Sequence, residues 1–527
     1  MYSKYSFHRR LTLRLLCIAL CACMALNGCS STSLPDDTLS IEQEETDDSV
    51  SSSEDSAYTY SDYELDDSFD RQSAASIILS GSTAQSNGSG VSINNVTVTI
   101  SKEGCYLISG ELEDGQIIVD AGDSDKVQLV LDNASIHCST GSAILVRNAN
   151  KVKVTLAADS ENELSDGTEY QTDDDNPDAA LFSKDDLVIN GSGSLTVQGN
   201  YKHGIAGNDD LVITGGRLTV NSLSHALRGK DSVAILDGTF VLTSQKDGIQ
   251  ASNTEDSTKG WVQIDGGNFT IQSSGNGIQA ETNLSIYDGS FTITSGGGAV
   301  NGADHTENRG GGFGRPGGNR PDSANGQTPP EMLSQPAEGE QSSSENESDY
   351  SEFIFDPDDF DDTSTADSDT TVSTKGIKAG NALLIQQGTF VIDSADDAIH
   401  SNYSVTIDGG SFQISSGDDG IHAEAYLNIN GGTTTIAESY EGLEAAQIHI
   451  SGGTTQVFSS DDGLNAAGGS SFELVDGLLV LKDTSSSDTE QTFGGRGGMF
   501  EVEDNCDITI SGGNRRLSLA ALHNRDF

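Results

Sequence analysis

One short text recurs along this chain and limits what it can fold into. Val233 to Leu242 reads Val-Ala-Ile-Leu-Asp-Gly-Thr-Phe-Val-Leu, followed by Asp247-Gly-Ile-Gln-Ala. Val262 to Ile271 with Asn276-Gly-Ile-Gln-Ala, and Val405 to Ile414 with Asp419-Gly-Ile-His-Ala, repeat it. The period is about 22 residues, in the range that marks solenoids. Each unit holds three short runs with apolar residues at every second place, which is the periodicity of strands. The Gly-Gly pair supplies positive φ for a tight bend. Such a unit cannot bury a core alone. Stacked as coils about 4.8 Å apart, its strands bond to their copies one coil away and enclose a column of Ile, Val, Leu and Phe. The expected fold is all-β, a parallel β-helix with three short strands per coil. A propeller blade needs about 40 residues, and the leucine-rich pattern is absent.

The flanks read differently. Lys4, Arg9, Arg10 and Arg14 accompany an apolar run from Leu11 to Leu26, shorter than the roughly 20 residues of a membrane span. The run ends in Leu26-Asn27-Gly28-Cys29, which resembles the lipobox of bacterial lipoproteins. That resemblance implies a signal peptide over 1–28 and lipidation at Cys29, with the body anchored on the outer face of the cell membrane. Residues 29–73 are rich in Ser, Asp and Glu and are expected to form a disordered tether. Coils are expected over 74–300 and 374–513. A Gly/Pro-rich, then acidic, insertion at 301–373 separates them. From Asn514 the pattern is lost, leaving an atypical tail over 514–527. Beyond Cys29, Cys105, Cys138 and Cys506 form no disulfide framework and no metal cluster.

The net charge is −55 on 527 residues. Nucleic acid is excluded as a partner, because a phosphate backbone needs a positive surface. Acidic glycans are repelled at long range and need a cation bridge.

Stacking turns the sequence into columns. One reads Asp397, Asp419, Glu441, Asp462, and the column before it reads Asp396, Asp418, Tyr440, Asp461. Three places on come His400, His422, Glu444 and Asn465, with Glu424 two further along its coil. Two carboxylates 5 Å apart repel by about 3 kcal/mol at an effective dielectric near 20. At neutral pH a bound divalent cation is the simplest offset, and clustered oxygen ligands select calcium over zinc. Asp396, Asp397, Asp418, Asp419, Glu424, Glu441, Glu444, Asp461, Asp462 and Asn465 are therefore the candidate ligands. His400 and His422 are either further ligands or ordinary surface or hydrogen-bond-satisfied histidines. In the earlier coils, Asp247 and Asn276 are better read as side chains that cap the bend.

The runs Asp418-Asp419-Gly420-Ile421-His422-Ala423-Glu424, Ser439-Tyr440-Glu441-Gly442-Leu443-Glu444 and Ser460-Asp461-Asp462-Gly463-Leu464-Asn465 resemble the carbohydrate-binding β-helix family of clostridial surface proteins. Lys184-Asp185-Asp186-Leu187, His225-Ala-Leu-Arg-Gly-Lys-Asp231 and Lys375-Gly376-Ile377-Lys378-Ala379 are similar to it too. The resemblance implies a right-handed parallel β-helix like that of pectate lyases, with calcium on acidic side chains. It also implies binding of cellulose-like and pectic polysaccharide without cleavage. His225-Ala226 departs from the family where a Gly is usual, as does the text beyond Ser511.

Three functions follow. The first is a calcium-dependent, non-catalytic surface lectin. The second is a calcium-dependent polysaccharide lyase, which needs a base such as Lys246, Lys375, Lys378, Arg228 or Lys230. The third is a calcium-cemented spacer or adhesin. Trp261, Tyr201 and Tyr440 are the candidate stacking aromatics.

Overall fold

The computed structural model describes residues 57–171, 176–303, 372–466, 472–475, 478–481 and 507–512. The signal segment, Cys29, the insertion from 304 to 371, Cys506 and the tail from 514 lie outside them. The described chain is nearly all β, with a four-residue helix at Asp62–Leu65 and a single 3-10 turn at Ala299–Asn301. None of its helices is long and apolar enough to cross a membrane.

Most strands join one long sheet in which parallel pairing dominates. Three ladders run through it. Leu227–Gly229 pairs with Ile249–Ala251, Ser232–Ile235 with Trp261–Ile264, and Thr239–Ser244 with Asn268–Ser273. Each strand therefore meets its own counterpart in the next unit, as the period requires. The insertion leaves this register intact: Ile278 pairs with Ile377, and Ser290 to Ser295 pair with Thr389 to Ser394. Antiparallel hairpins appear at Ala75–Ser86, at Val91–Ile100 and in the separate pair Phe472–Val475 with Leu478–Leu481. The last of these interrupts the coils expected to run on to 513. Asp507–Ile510 returns to pair with Gln447–Ile450.

Alternation decides which side chains point inward. Along Thr239–Ser244, Phe240 and Leu242 are buried while Thr239 and Val241 are exposed. Phe240, Phe269, Phe291, Phe390 and Phe412 stack face to face, with ring centroids 4.6 to 4.8 Å apart and planes within 4° of parallel. The ring spacing equals the strand spacing, so the ladder is a direct consequence of register. Gly289 precedes Phe291 with φ +139°, and a Cβ there would lie 2.8 Å from the ring. Only glycine satisfies both the backbone and the stack at that bend.

The expected tether does not extend to residue 73. From Ala57 the chain lies against the outside of the second ladder. Tyr58 and Gln263 exchange two hydrogen bonds, from Tyr58 N–H to Gln263 Oε1 (2.7 Å) and from Gln263 Nε2 to Tyr58 O (3.2 Å). Tyr60 OH donates to Asp265 (2.8 Å). Buried Glu64 pairs with Lys151 Nζ at 2.6 Å, and Lys153 Nζ donates to Asp66 O, also at 2.6 Å. Tyr58, Tyr60 and Trp261 cover Val188, Val212 and Ala234. The Ser/Asp-rich composition hid three tyrosines and a buried ion pair, whose partners lie far away in sequence.

Phe291→Ala is expected to destabilise the fold by about 3 to 5 kcal/mol, because it opens a gap in the middle of the stack. The neighbouring outward change Thr292→Ala is expected to stay within about 0.5 kcal/mol. Denaturant titration followed by circular dichroism reads both; equal effects would contradict the inward ladder.

Candidate functional site

The acidic residues sit where the chain turns into the first ladder, and on the outward side of that ladder. Its register aligns Lys378, His400, His422, Glu444 and Asn465 in one outward column. The residues two places before the first-ladder apolar position form a second column: His203, His225, Asp247, Asn276, Lys375, Asp397, Asp419, Glu441 and Asp462.

This second column has a backbone job. His203 Nδ1 accepts the N–H of His225 (3.2 Å), and His225 Nδ1 accepts that of Asp247 (3.1 Å). Asp247 Oδ1 accepts from Asn276 N–H, Asn276 Oδ1 from Lys375 N–H, and Asp397 Oδ1 from Asp419 N–H, at 2.6, 2.8 and 3.0 Å. Each side chain thus satisfies a backbone donor of the following unit. Capping at Asp247 and Asn276 is as the sequence implied, and Asp397 shares it. His203 Nδ1 accepts, so its proton sits on Nε2, which lies 3.3 Å from Asp178 Oδ2. Burial pushes the His203 imidazole down to about 4, against the pull of Asp178.

Further along, the column changes character. Lys375 Nζ donates to Asp396 Oδ1 (2.8 Å) and Asp397 Oδ2 (3.0 Å), and His400 Nδ1 lies 2.8 Å from Asp397 Oδ2. His422 Nδ1 is 3.3 Å from Asp419 and 3.6 Å from Asp397. Burial opposes the Asp397 charge, but Lys375, His400 and His422 together hold its carboxyl well below the usual range. Against its own burial, His422 is pushed well above the ordinary imidazole value by Asp397 and Asp419. Lys375 is raised by the same carboxylates despite burial. The chain therefore supplies its own cations here.

One unit later it supplies less: His422 Nδ1 lies 3.9 Å from Glu444 Oε2 and pulls its value down. Asn465 Nδ2 donates to Glu441 Oε2 (2.7 Å) and lies 3.3 Å from Glu444 Oε1. Burial, then Asp419, push Glu444 up to about 9. Glu441 is raised by burial and by Asp419, Asp461 and Asp462, although Asn465 lowers it. Among the described residues, three groups of side chains bring ligand atoms within 4.8 Å of one another: Asp397, His400 and His422; Asp419, His422 and Glu444; and Asp396, Asp397 and Asp418. The all-carboxylate group is the one Lys375 already bridges, so a dication there would compete with a built-in ammonium. The oxygen donors of Asp419, Glu441, Glu444 and Asn465 fit calcium better: they are hard ligands, and their repulsion is offset only in part, by His422 at 3.3 Å from Asp419 and 3.9 Å from Glu444. Asp461 and Asp462 are exposed beside them, and Glu424 lies farther off, 4.0 Å from His422 Nε2.

Other sequence candidates fall elsewhere. Lys375, held by two carboxylates, is a protonated counter-ion and not a free base. Arg228 Nε donates to Ser252 (3.1 Å). Trp261 packs on Tyr58 and Tyr201 stacks on Tyr170. Sequence reading passed over Tyr403 and Tyr426, an edge-to-face pair beside the histidines, with Tyr426 exposed. Strand alternation would have found Tyr426, which alternates with buried neighbours as His422 and Glu424 do, but pairs with Ser404 in the second ladder. Cys105 and Cys138 are free thiols.

A model of the family described as carbohydrate-binding domain-containing protein matches residues 94–420 and 417–463. A relative from Acetivibrio thermocellus with the same description is 42% identical over 139 residues, 26% of this chain. The chain spans about half the length of that curated relative, 49%. A solved structure described as the polysaccharide lyase-like protein from C. thermocellum, as a gadolinium derivative, is 36% identical; the match covers 42% of this chain and 92% of that one, with a TM-score of 0.42.

The folded value of His203 lies below the unfolded 6.5. Its contribution is therefore full above pH 6.5 and is lost as pH falls toward 4. His203→Asn retains an acceptor, as Asn276 does in the same column, and removes the titration. Melting temperatures of the two proteins are expected to converge as pH drops from 6.5 to 4. A constant difference would refute the neutral, accepting imidazole.

Proposed function

The chain belongs to the family of carbohydrate-binding domain-containing proteins, and from that premise we propose that it binds polysaccharide of the pectic and cellulose-like classes without cleaving it. Calcium would be held by Asp419, Glu441, Glu444 and Asn465, with Asp462 beside them, where it supplies the positive charge that uronate carboxylates need. The observation that carries this reading is the outward acid cluster around Glu444, which is pushed up to about 9 although His422 lies 3.9 Å away, on a chain of charge −55. Ladders in which each strand pairs with its counterpart one unit on support a parallel β-helix as the overall form, and its right hand is what the family resemblance implies. Cys29 is the proposed lipid anchor, which places the body on the outer face of the membrane.

The lyase alternative loses its best-placed base, since deprotonating Lys375 removes the ammonium that Asp396 and Asp397 share. Lys246, Lys378, Arg228 and Lys230 are the bases left to that reading.

Retention on immobilised polygalacturonate with calcium, its loss on adding chelator, and no unsaturated uronide released are the expected results. Release of product would favour the lyase, and no retention on any glycan would leave the calcium-cemented spacer. Cys29→Ser is expected to move the protein from the membrane to the soluble fraction; continued lipid labelling would refute the anchor.

A further inference from the structure

The outward side of the third ladder contrasts with the acidic columns of the first. From Thr239–Ser244 to Thr454–Val457 its strands pair in register, unit after unit. The central outward column reads Val241, Thr270, Thr292, Val391, Gln413 and Thr435, and the column beside it, from Thr239 to Thr454, holds only Thr, Asn and Ser. Over these units no charged residue occurs in either column, although 21% of the chain is charged; the unit before brings Arg217 opposite Thr239. The charges that do occur on this face, Asp393 and Glu438, lie in the column at the strand ends, and Asp393 Oδ1 accepts the N–H of Ala299 (2.7 Å). Val241 and Val391 are 44% and 43% exposed.

We propose that this face is a second carbohydrate-binding surface, for the packed chains of a neutral polysaccharide, separate from the acidic columns. The proposal rests on the polysaccharide-binding reading above and assigns its uncharged ligand class to a place. A broad contact with a neutral polymer must not strip water from ions, and the third ladder allows this because its central columns carry none. Thr, Ser, Asn and Gln side chains donate and accept, as sugar hydroxyls do, while the Val and Thr methyl groups meet the C–H faces of pyranose rings. Successive strands repeat every ~4.8 Å and outward columns every ~7 Å, which makes the face flat and periodic, like a layer of aligned chains. A second copy of this chain fits less well. The face covers on the order of 500 Å², short of the ~800 Å² per partner of a standard interface, and each copy brings a charge of −55.

The test uses the full chain and the variant Thr270→Glu/Thr292→Glu/Gln413→Glu, whose sites are exposed and outward. The single Thr292→Glu serves if the triple variant melts early. Depletion from solution by microcrystalline cellulose is expected to weaken at least tenfold in the variant. Retention on polygalacturonate with calcium is expected to stay within twofold. Equal depletion of variant and wild type by cellulose would overturn the proposal. A wild type retained by polygalacturonate but not by cellulose would also overturn it, leaving the acidic site standing. Retention on neither glycan would remove the reading on which the proposal rests. A wild-type dimer that the variant splits, seen by sedimentation, would assign the face to a second copy instead.

Discussion

In-register stacking of parallel strands is the constraint on which the rest depends. It sets each side chain about 4.8 Å from the residue at the same place in the next unit. For apolar residues this is favourable without exception, and the phenylalanine ladder from Phe240 to Phe412 shows it. For acids it is costly, because an outward column repeats a charge as faithfully as it repeats a ring. The chain has to answer that repulsion wherever the repeat carries Asp or Glu.

It answers in three ways along one column. From His203 to Asn276 the side chains are spent on backbone N–H groups of the next unit, and their charge or polarity is absorbed there. At Asp396 and Asp397 the preceding unit offers Lys375, with His400 and His422 closing the other side. At Glu441 and Glu444 the partners are Asn465 and, for Glu444, His422 at 3.9 Å, and burial with Asp419 still pushes Glu444 up to about 9. The same column thus runs from structural capping, through internal neutralisation, to a demand for positive charge that His422 meets only in part. The binding chemistry proposed here belongs to that last part.

Much of this was legible from periodicity. Alternation located the strands, and counting in steps of about 22 placed His400, His422, Glu444 and Asn465 in one column, which the register confirms. Lys375 was visible only as a generic base, because the insertion separates it from the unit before and hides its place in the acidic column. The segment from Ala57 was read as tether because polar composition says nothing about distant partners such as Gln263, Asp265 and Lys151. Tyr403 and Tyr426 were missed for a related reason: the pair forms across units, from residues at unlike places in the repeat.

The division of the acidic columns into a self-neutralised part and a cation-demanding part is most directly tested by calorimetric titration of the full chain with calcium at neutral pH. Wild type would be compared with Glu441→Gln/Glu444→Gln and with Asp396→Asn. Affinity at least tenfold weaker in the double variant, and unchanged within about twofold in Asp396→Asn, is the expected result. Loss of binding in Asp396→Asn, with the double variant unaffected, would contradict it and place the cation where Lys375 now sits.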